Sequence, residues 1–354
     1  RLLAEPGWSV RQTDRGRFSM RLIQMLGGSD SYVANQPAIR AVLTTTAAAH
    51  DGRPMSALIQ AANNYRGKWP GPLTPERAAQ EYPLNAVRYL LQKKVLQPAL
   101  PVRCPDCTAK VAIRAEDLKS EMVCELCGSV FPLGLALGMH TRNDWLYRLP
   151  NSIPSDRLSE TLPVMSALSV LSDYGWLSAL YPYVLGMEIS APGLKCEVDI
   201  IATLSQNFPP LIVVGEVKSF RDTVTSQDLQ NLRQIQSHLR SKGIECFILA
   251  ATLRDTLPDD TIAALRAMCE DAQDTLSPLV NPVLPIVLTG NNLSVPPHDD
   301  DHPMSWVRPG SGMGIAGIAL ESCRRNLGLK DIKQERDETG VYRWTVEWVE
   351  LETN

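Results

Sequence analysis

The 354-residue sequence lacks any apolar run long enough to cross a bilayer. The run VLPIVL, from residue 283, is far shorter than the ~20 residues that a membrane-spanning helix needs. The first residues, RLLAEPGWSVRQTDRGRF, contain no apolar core of a secretory signal. They also lack an initiator Met, so we expect a fragment or a processed chain. The default expectation is a cytoplasmic protein that makes no membrane contact.

Several catalytic motifs are absent as well. The sequence contains no phosphate loop of the G-x-x-x-x-G-K-[ST] type, no G-x-S-x-G elbow and no H-E-x-x-H pair. It also contains no aromatic RNA-binding signature of the RNP type. What remains is the composition of an ordinary globular protein, with 44% hydrophobic and 21% charged residues. A chain of this length accommodates two or three domains.

Charge is distributed unevenly along the chain. Residues 1–150 contain 19 Lys and Arg against 12 Asp and Glu, whereas residues 151–354 contain 16 against 27. A basic first part favours contact with a polyanion, and an acidic second part needs metal ions or local basic strips to approach one.

Cysteine is the residue type with the clearest pattern. CPDC and CELC form a C-x2-C-x16-C-x2-C spacing, which is typical of a tetrahedral zinc site with four thiolates and no open position. The module resembles a zinc ribbon, with KVAIRAEDL and GSVFPLG as its short strands. The other cysteines are expected to be buried small hydrophobes. The predicted structural Zn²⁺ ligands are Cys104, Cys107, Cys124 and Cys127.

The remaining patterns divide the chain into three regions. Residues 1–100 are predicted to be mainly helical, and a helix followed by an extended segment at 85–104 makes a winged helix a candidate there. Residues 101–150 form the ribbon. In residues 151–354, helical and extended patterns follow one another as αβββαβ, which predicts an α/β core with helices on a mixed sheet, followed by a further α/β extension.

Two of the predicted strands, LKCEVDIIATL and PLIVVGEVKSF, contain charge at their centres. Alternation puts Glu216 and Lys218 on one face of their strand and Glu197 and Asp199 on one face of theirs. If the strands pair, Asp199 and Glu216 converge with Lys218 beside them. Carboxylates that close repel each other unless a divalent cation such as Mg²⁺ lies between them. An internal Glu–Lys ion pair is the alternative interpretation.

This constellation within αβββαβ resembles the PD-(D/E)xK nuclease superfamily over residues 154–252. The resemblance implies a restriction-endonuclease-like core that hydrolyses phosphodiester bonds with Mg²⁺ or Mn²⁺. Val198 occupies the place of the proline that names the motif. Position by position, the implied metal ligands are Asp199, Glu216 and the Val217 carbonyl, the implied catalytic lysine is Lys218, and additional candidates are Glu160 and Gln230.

The sequence therefore predicts a metal-dependent nuclease acting on DNA, and its architecture suggests the effector subunit of a bacterial defence or restriction system. Other protein subunits or a second copy of the chain are candidate partners. Two alternatives stay open: a non-catalytic zinc-ribbon adaptor that binds DNA or protein, including a degenerate nuclease fold that binds without cutting, and an RNase using the same site. The basic residues expected to contact nucleic acid are Lys93, Lys94, Arg103, Lys110, Arg114 and Lys119.

Overall fold

The structure is a computed structural model. It describes residues 7–26, 36–49, 51–64, 75–138, 144–150, 152–174, 182–204, 211–271, 283–290, 292–293, 314–336 and 342–350.

These residues form helices and strands in a mixed α/β arrangement. The helices are α1 (Asp14–Leu26), α2 (Pro37–Ala47), α3 (Met55–Asn63), α4 (Pro75–Gln92), α5 (Leu133–Gly138), α6 (Ser155–Tyr174), α7 (Ser226–Ser241), α8 (Asp259–Glu270) and α9 (Gly314–Leu327). The strands are β1 (Ser9–Gln12), β2 (Arg53–Pro54), β3 (Gln97–Arg103), β4 (Lys110–Arg114), β5 (Glu121–Val123), β6 (Val130–Pro132), β7 (Leu146–Arg148), β8 (Tyr183–Ala191), β9 (Leu194–Leu204), β10 (Leu211–Lys218), β11 (Glu245–Thr252), β12 (Ile286–Leu288), β13 (Leu329–Arg336) and β14 (Tyr342–Trp348).

The chain divides into two compact units. Their boundaries differ from the predicted boundaries, which lie at residues 100 and 150. The first unit comprises Arg1–Asn35 and Glu160–Asn354, and the second comprises Gln36–Ser159. The N-terminal segment belongs to the first unit because β1 pairs with β8 and the Trp8 ring stacks on His238 at 4.0 Å between centroids. Local pattern does not reveal this pairing, since the two strands are far apart along the chain.

The first unit is built on a six-stranded mixed sheet in the order β1-β8-β9-β10-β11-β12. Strands β8, β9 and β10 are antiparallel neighbours, whereas β11 runs parallel to β10 and β12 runs parallel to β11. The predicted order of elements is found as α6-β8-β9-β10-α7-β11. Strand β11 is buried along its whole length and β10 is buried up to Lys218, as expected of central strands covered on both faces.

Three local features differ from the sequence expectations. Strand β1 was not predicted, and neither was β13, which forms a two-stranded sheet with β14. The pattern SQDLQNLRQIQSHLRSKG predicts a helix with Ser226 as its N-cap, but α7 is capped by Thr225: Thr225 and Asp228 form a reciprocal capping box. This cap fixes the start of α7 directly after the loop that follows β10.

The second unit combines helices α2, α3 and α4 with a four-stranded sheet in the order β2-β7-β3-β4. The cysteine module lies in the chain between β3 and β7, and the ribbon strands expected from the sequence are present as β4 and β6, with β5 paired to β6. The module has its own small core, whose buried members are Leu100, Val102, Cys104, Cys124, Phe131 and Ala136.

Two glycines allow α1 to approach β8 at backbone distance. A Cβ on Gly16 would lie 1.9 Å from the Leu185 carbonyl oxygen, and a Cβ on Gly186 would lie 2.6 Å from the Gly16 Cα. Gly186 also has a φ of +56°, a conformation that favours glycine. The Thr13 N–H donates to the Gly186 carbonyl at 2.8 Å. The first turn of α1, which contains Arg15, is therefore held tightly against β8.

We expect Gly16→Ala to destabilise the first unit by about 1–3 kcal/mol, the usual range for overpacking, because the new methyl group meets backbone that cannot rotate away. Calorimetric unfolding would measure the loss. Gly134→Ala is the matched control, since a Cβ at Gly134 in α5 meets nothing within 4 Å. Equal unfolding temperatures for the two variants would contradict the close approach.

Candidate functional site

The acidic site lies where β9 and β10 pair. These strands are antiparallel, with Gly215 opposite Ile200. Continuing this register by one pair puts Glu216 opposite Asp199, so the two side chains lie on one face of the sheet. Asp199 is 2% exposed and Glu216 is 7% exposed. The structure thus brings together two carboxylates in an environment where ionised groups need partners.

Each oxygen of Asp199 has a partner. Oδ2 accepts a hydrogen bond from the backbone N–H of Val217 at 2.8 Å, and Oδ1 lies 3.2 Å from Nη2 of Arg15. Burial raises the pKa of Asp199, while the Arg15 guanidinium and the Val217 N–H oppose the rise. In this state Asp199 is held by donors from the neighbouring strand and from α1.

Glu216 and Lys218 form an adjacent ion pair, with Oε1 of Glu216 2.5 Å from Nζ of Lys218. Burial, and then the negative charge of Asp199, raise the pKa of Glu216 to about 8. Although burial opposes it, the Glu216 carboxylate raises the pKa of Lys218, which stays an ammonium ion. The internal Glu–Lys pair of the sequence analysis therefore exists, but it lies beside Asp199 and not apart from it.

Helix α7 contributes Asp228 and not Gln230 to this cluster. Oδ2 of Asp228 lies 3.8 Å from Nζ of Lys218 and also accepts from the N–H of Thr225 at 2.9 Å. Gln230, the predicted candidate on this helix, is exposed. The capping-box spacing of Thr225 and Asp228 was the sequence signal that could have located Asp228.

Arg15 connects Glu160 to the cluster. Nε of Arg15 lies 3.4 Å from Oε2 of Glu160, while Nη2 lies on Asp199. Glu197 lies near the same group, with its Oε1 3.2 Å from the Thr13 hydroxyl. Sequence reasoning did not find Arg15, since nothing in the local pattern of residues 7–26 indicates that this segment reaches β9.

The donor set fits a hydrated divalent cation. Asp199 and Glu216 offer oxygen ligands side by side, and few protein oxygens with several waters suit Mg²⁺. The Val217 carbonyl also lies on the Asp199 side of β10. The N–H and C=O of one strand residue project toward the same neighbouring strand, and the Val217 N–H donates to Asp199. The next carbonyl, that of Lys218, projects to the opposite side, where it accepts from the N–H of Leu253 after β11. Asp199, Glu216 and the Val217 carbonyl could therefore hold such an ion.

The second candidate site is the cysteine cluster. The Sγ atoms of Cys104, Cys107, Cys124 and Cys127 all lie within 4.8 Å of one another. Cys104 and Cys127 are 3.7 Å apart, and Cys107 and Cys124 are 3.6 Å apart. A tetrahedral Zn²⁺ with Zn–S bonds of about 2.3 Å requires sulfur separations of about 3.8 Å. The four thiols could therefore hold one zinc ion.

The backbone of the two cysteine pairs repeats the same turn. The Cys104 carbonyl accepts from the N–H of Thr108 at 3.0 Å, and the Cys124 carbonyl accepts from Gly128 at 2.8 Å. Thr108 and Gly128 both have positive φ, 60° and 73°. Each turn points both of its sulfurs toward the same point, as the two-residue gap predicts.

The thiol pKa values diverge within the cluster. The Cys107 N–H and the Ser129 hydroxyl lower the pKa of Cys104 to about 6. Although the Ala109 N–H opposes it, desolvation and the neighbouring cysteines raise the pKa of Cys107 to about 12. Thiolates this close repel each other, and a bound cation removes that repulsion.

The predicted basic residues lie in different surroundings. Arg103 and Lys110 are paired across β3 and β4, and Nζ of Lys93 lies 5.6 Å from the Tyr89 ring centroid. Arg114 makes ion pairs with Glu116 and Asp117 at 2.9 and 2.6 Å, which reduces its availability to a phosphate. Two further residues of this set are exposed, Lys94 and Lys119.

Comparison with known proteins adds little to this geometry. No family model and no curated protein matches the chain. A solved structure, protein VC1899 from Vibrio cholerae, is similar at 13% sequence identity and a TM-score of 0.30, with 88% of this chain and 61% of that chain covered. The chain therefore spans 61% of that protein's length. Among the described residues, no helix is long and apolar enough to cross a membrane.

We expect one Zn²⁺ per chain, because four thiolates at tetrahedral separations form a complete ligand set. Elemental analysis of the purified protein would measure it. Cys107→Ser should lower the zinc content, whereas Cys196→Ala, outside the cluster, should retain it. Full zinc occupancy in Cys107→Ser would contradict the assignment.

The raised pKa of Glu216 predicts a pH-dependent stability in buffer without Mg²⁺ or Mn²⁺. A carboxyl group whose pKa rises on folding, here from 4.5 to about 8, contributes stability below its unfolded pKa. That contribution is lost as pH rises toward the folded value. The free energy of unfolding should fall relative to Glu216→Gln between pH 6.5 and 8, by at most about 1.4 kcal/mol per pH unit. Chemical denaturation of both proteins tests this, and parallel curves would contradict it.

Proposed function

We propose that this protein is a metal-dependent nuclease that hydrolyses phosphodiester bonds in DNA at the site formed by Asp199, Glu216 and Lys218. The observation that supports it best is the buried carboxylate pair on adjacent strands with an ammonium group beside it. Burying a pair of ionised carboxylates is costly unless partner charges and hydrogen bonds, or a bound cation, offset the lost hydration. Clustered buried acids with raised pKa values are typical of functional sites.

The proposal assigns a role to each residue. Asp199, Glu216 and the Val217 carbonyl would hold Mg²⁺ or Mn²⁺, which supplies Lewis-acid polarisation of a phosphoryl oxygen and a lowered pKa for a bound water. Lys218 stays protonated beside this point and stabilises the negative charge that develops on the phosphoryl oxygens. Asp228 orients the Lys218 ammonium, because its carboxylate lies 3.8 Å from Nζ.

The second unit supports DNA as the substrate. Its elements follow one another as α2-β2-α3-α4-β3, then β4, β5, β6 and α5 of the cysteine module, then β7, and the sheet order is β2-β7-β3-β4. That succession resembles a winged helix, with the cysteine module inserted between the strands that flank the wing. Asn85 and Arg88 are exposed one turn apart on α4, where a recognition helix offers side chains to a groove.

A non-catalytic adaptor is the second candidate, and one observation favours it. Apolar side chains of the cysteine module are exposed on its surface, which is typical of a protein-docking face. Their exposed fractions are 61% for Val123, 76% for Leu126, 63% for Val130 and 54% for Leu135. The module could dock a partner while the first unit cuts, so the two functions are compatible. An RNA substrate and a role in bacterial defence stay predictions.

The experiment that tests the nuclease proposal compares variants that preserve shape. Asp199→Asn and Lys218→Met should each lower Mg²⁺- or Mn²⁺-dependent cleavage of DNA by at least about 100-fold, because each removes a charge from the reacting centre. Asp222→Asn, which alters an exposed acid in the loop after β10, is the matched control and should cleave normally.

Equal cleavage by all variants would remove the assigned site. Binding of DNA or a partner without turnover and without a Mg²⁺ effect would favour the adaptor. Cleavage of RNA in place of DNA would retain the site and change the substrate.

A further inference from the structure

Arg15 already holds the oxygen that a divalent cation would need. Oδ2 of Asp199 accepts the Val217 N–H at 2.8 Å, so Oδ1 is the oxygen left for a cation, and the Arg15 guanidinium lies 3.2 Å from it. A guanidinium and a divalent ion on one oxygen repel each other. Arg15 and the metal therefore compete for Asp199.

The fold places Arg15 firmly in this position. The Gly16–Gly186 approach and the Thr13 hydrogen bond to Gly186 hold the first turn of α1 against β8. The Arg15 charge interacts with Asp199, Glu160, Glu197 and Glu216. A cation held this way neutralises the acidic cluster in the absence of metal.

The Arg15 side chain is nevertheless 23% exposed, so a ligand from solvent can reach it. A guanidinium binds phosphate with the same two-pronged geometry that it uses for carboxylates. A phosphodiester approaching the site would offer Arg15 an alternative anion and would release Oδ1 of Asp199.

We infer that Arg15 is an internal competitor of the divalent cation and that a bound phosphodiester draws it away from Asp199. This inference rests on the proposed function. Metal binding is then weak in the free protein and tight in its complex with nucleic acid. The two ligands favour each other's binding by the same factor, as linkage requires.

The test measures Mn²⁺ affinity by electron paramagnetic resonance on zinc-loaded protein, without DNA and with each of two DNA duplexes. One duplex has phosphodiester linkages throughout, and the other has neutral methylphosphonate linkages at its centre and phosphodiester linkages elsewhere. The Mn²⁺ binding that is lost in Asp199→Asn is assigned to the acidic site. In the Lys218→Met protein, which cleaves an all-phosphodiester duplex slowly, that duplex should tighten Mn²⁺ binding by about tenfold. The duplex with a neutral centre should have a smaller effect, since it offers Arg15 no anion.

Arg15→Gln should bind Mn²⁺ about tenfold more tightly than the wild type without DNA. Combined with Lys218→Met, it should respond less to DNA than Lys218→Met alone. Arg17→Gln is the matched control: Arg17 lies on the same helix, pairs with Asp14 and is 53% exposed, so its Mn²⁺ affinity should equal that of the wild type. If Arg15→Gln does not fold, Arg15→Lys replaces it, because a lysine cannot span Asp199 and Glu160 together and should compete less.

Unchanged or weaker Mn²⁺ affinity on removing Arg15 would overturn the inference while leaving the nuclease proposal intact. Absence of any Mn²⁺ binding that depends on Asp199, in the wild type and in the Arg15 variants with and without DNA, would overturn both.

Discussion

The burial of Asp199 and Glu216 at the centre of the sheet is the constraint on which the first unit depends. Removing an ionised carboxylate from water costs several kcal/mol unless charge and hydrogen bonds replace the lost hydration. The fold supplies these partners from different parts of the chain: Val217 from the neighbouring strand, Lys218 from the end of β10 and Arg15 from α1. The pairing of β9 with β10 positions Val217 and Lys218, and the packing of α1 against β8 positions Arg15.

This requirement explains why the N-terminal segment belongs to the first unit. β1 adds an edge strand to β8, and α1 follows it directly. Without that addition Asp199 would lose the guanidinium that now balances its charge. The close approach of Gly16 and Gly186 also keeps Arg15 beside Asp199, since any larger residue at either position would move α1 away from the sheet. An edge strand and two glycines thus contribute to the electrostatics of a site in which none of them takes part directly.

The cysteine module depends less on long-range packing than the acidic cluster does. Its core is small, and its cysteines lie on two turns of the same geometry. A module with so little apolar burial would gain stability from metal ligation, because a bound cation would remove the repulsion between its thiolates. The spacing of its ligands is local, and the local geometry follows directly from it. For that reason the sequence predicted this site more completely than the acidic one.

The amino-acid sequence alone determined the cluster of four cysteines that could bind zinc, the order of elements from α6 to β11 and the faces of β9 and β10 on which the charges lie. Each of these follows from short-range spacing or from alternation along one strand. The tertiary structure decided the register that puts Asp199 opposite Glu216, the arrival of Arg15, the choice of Asp228 over Gln230 and the division into units. Those outcomes depend on which distant segments pack together, and the free energy of that packing is a property of the whole core and not of any single stretch of residues.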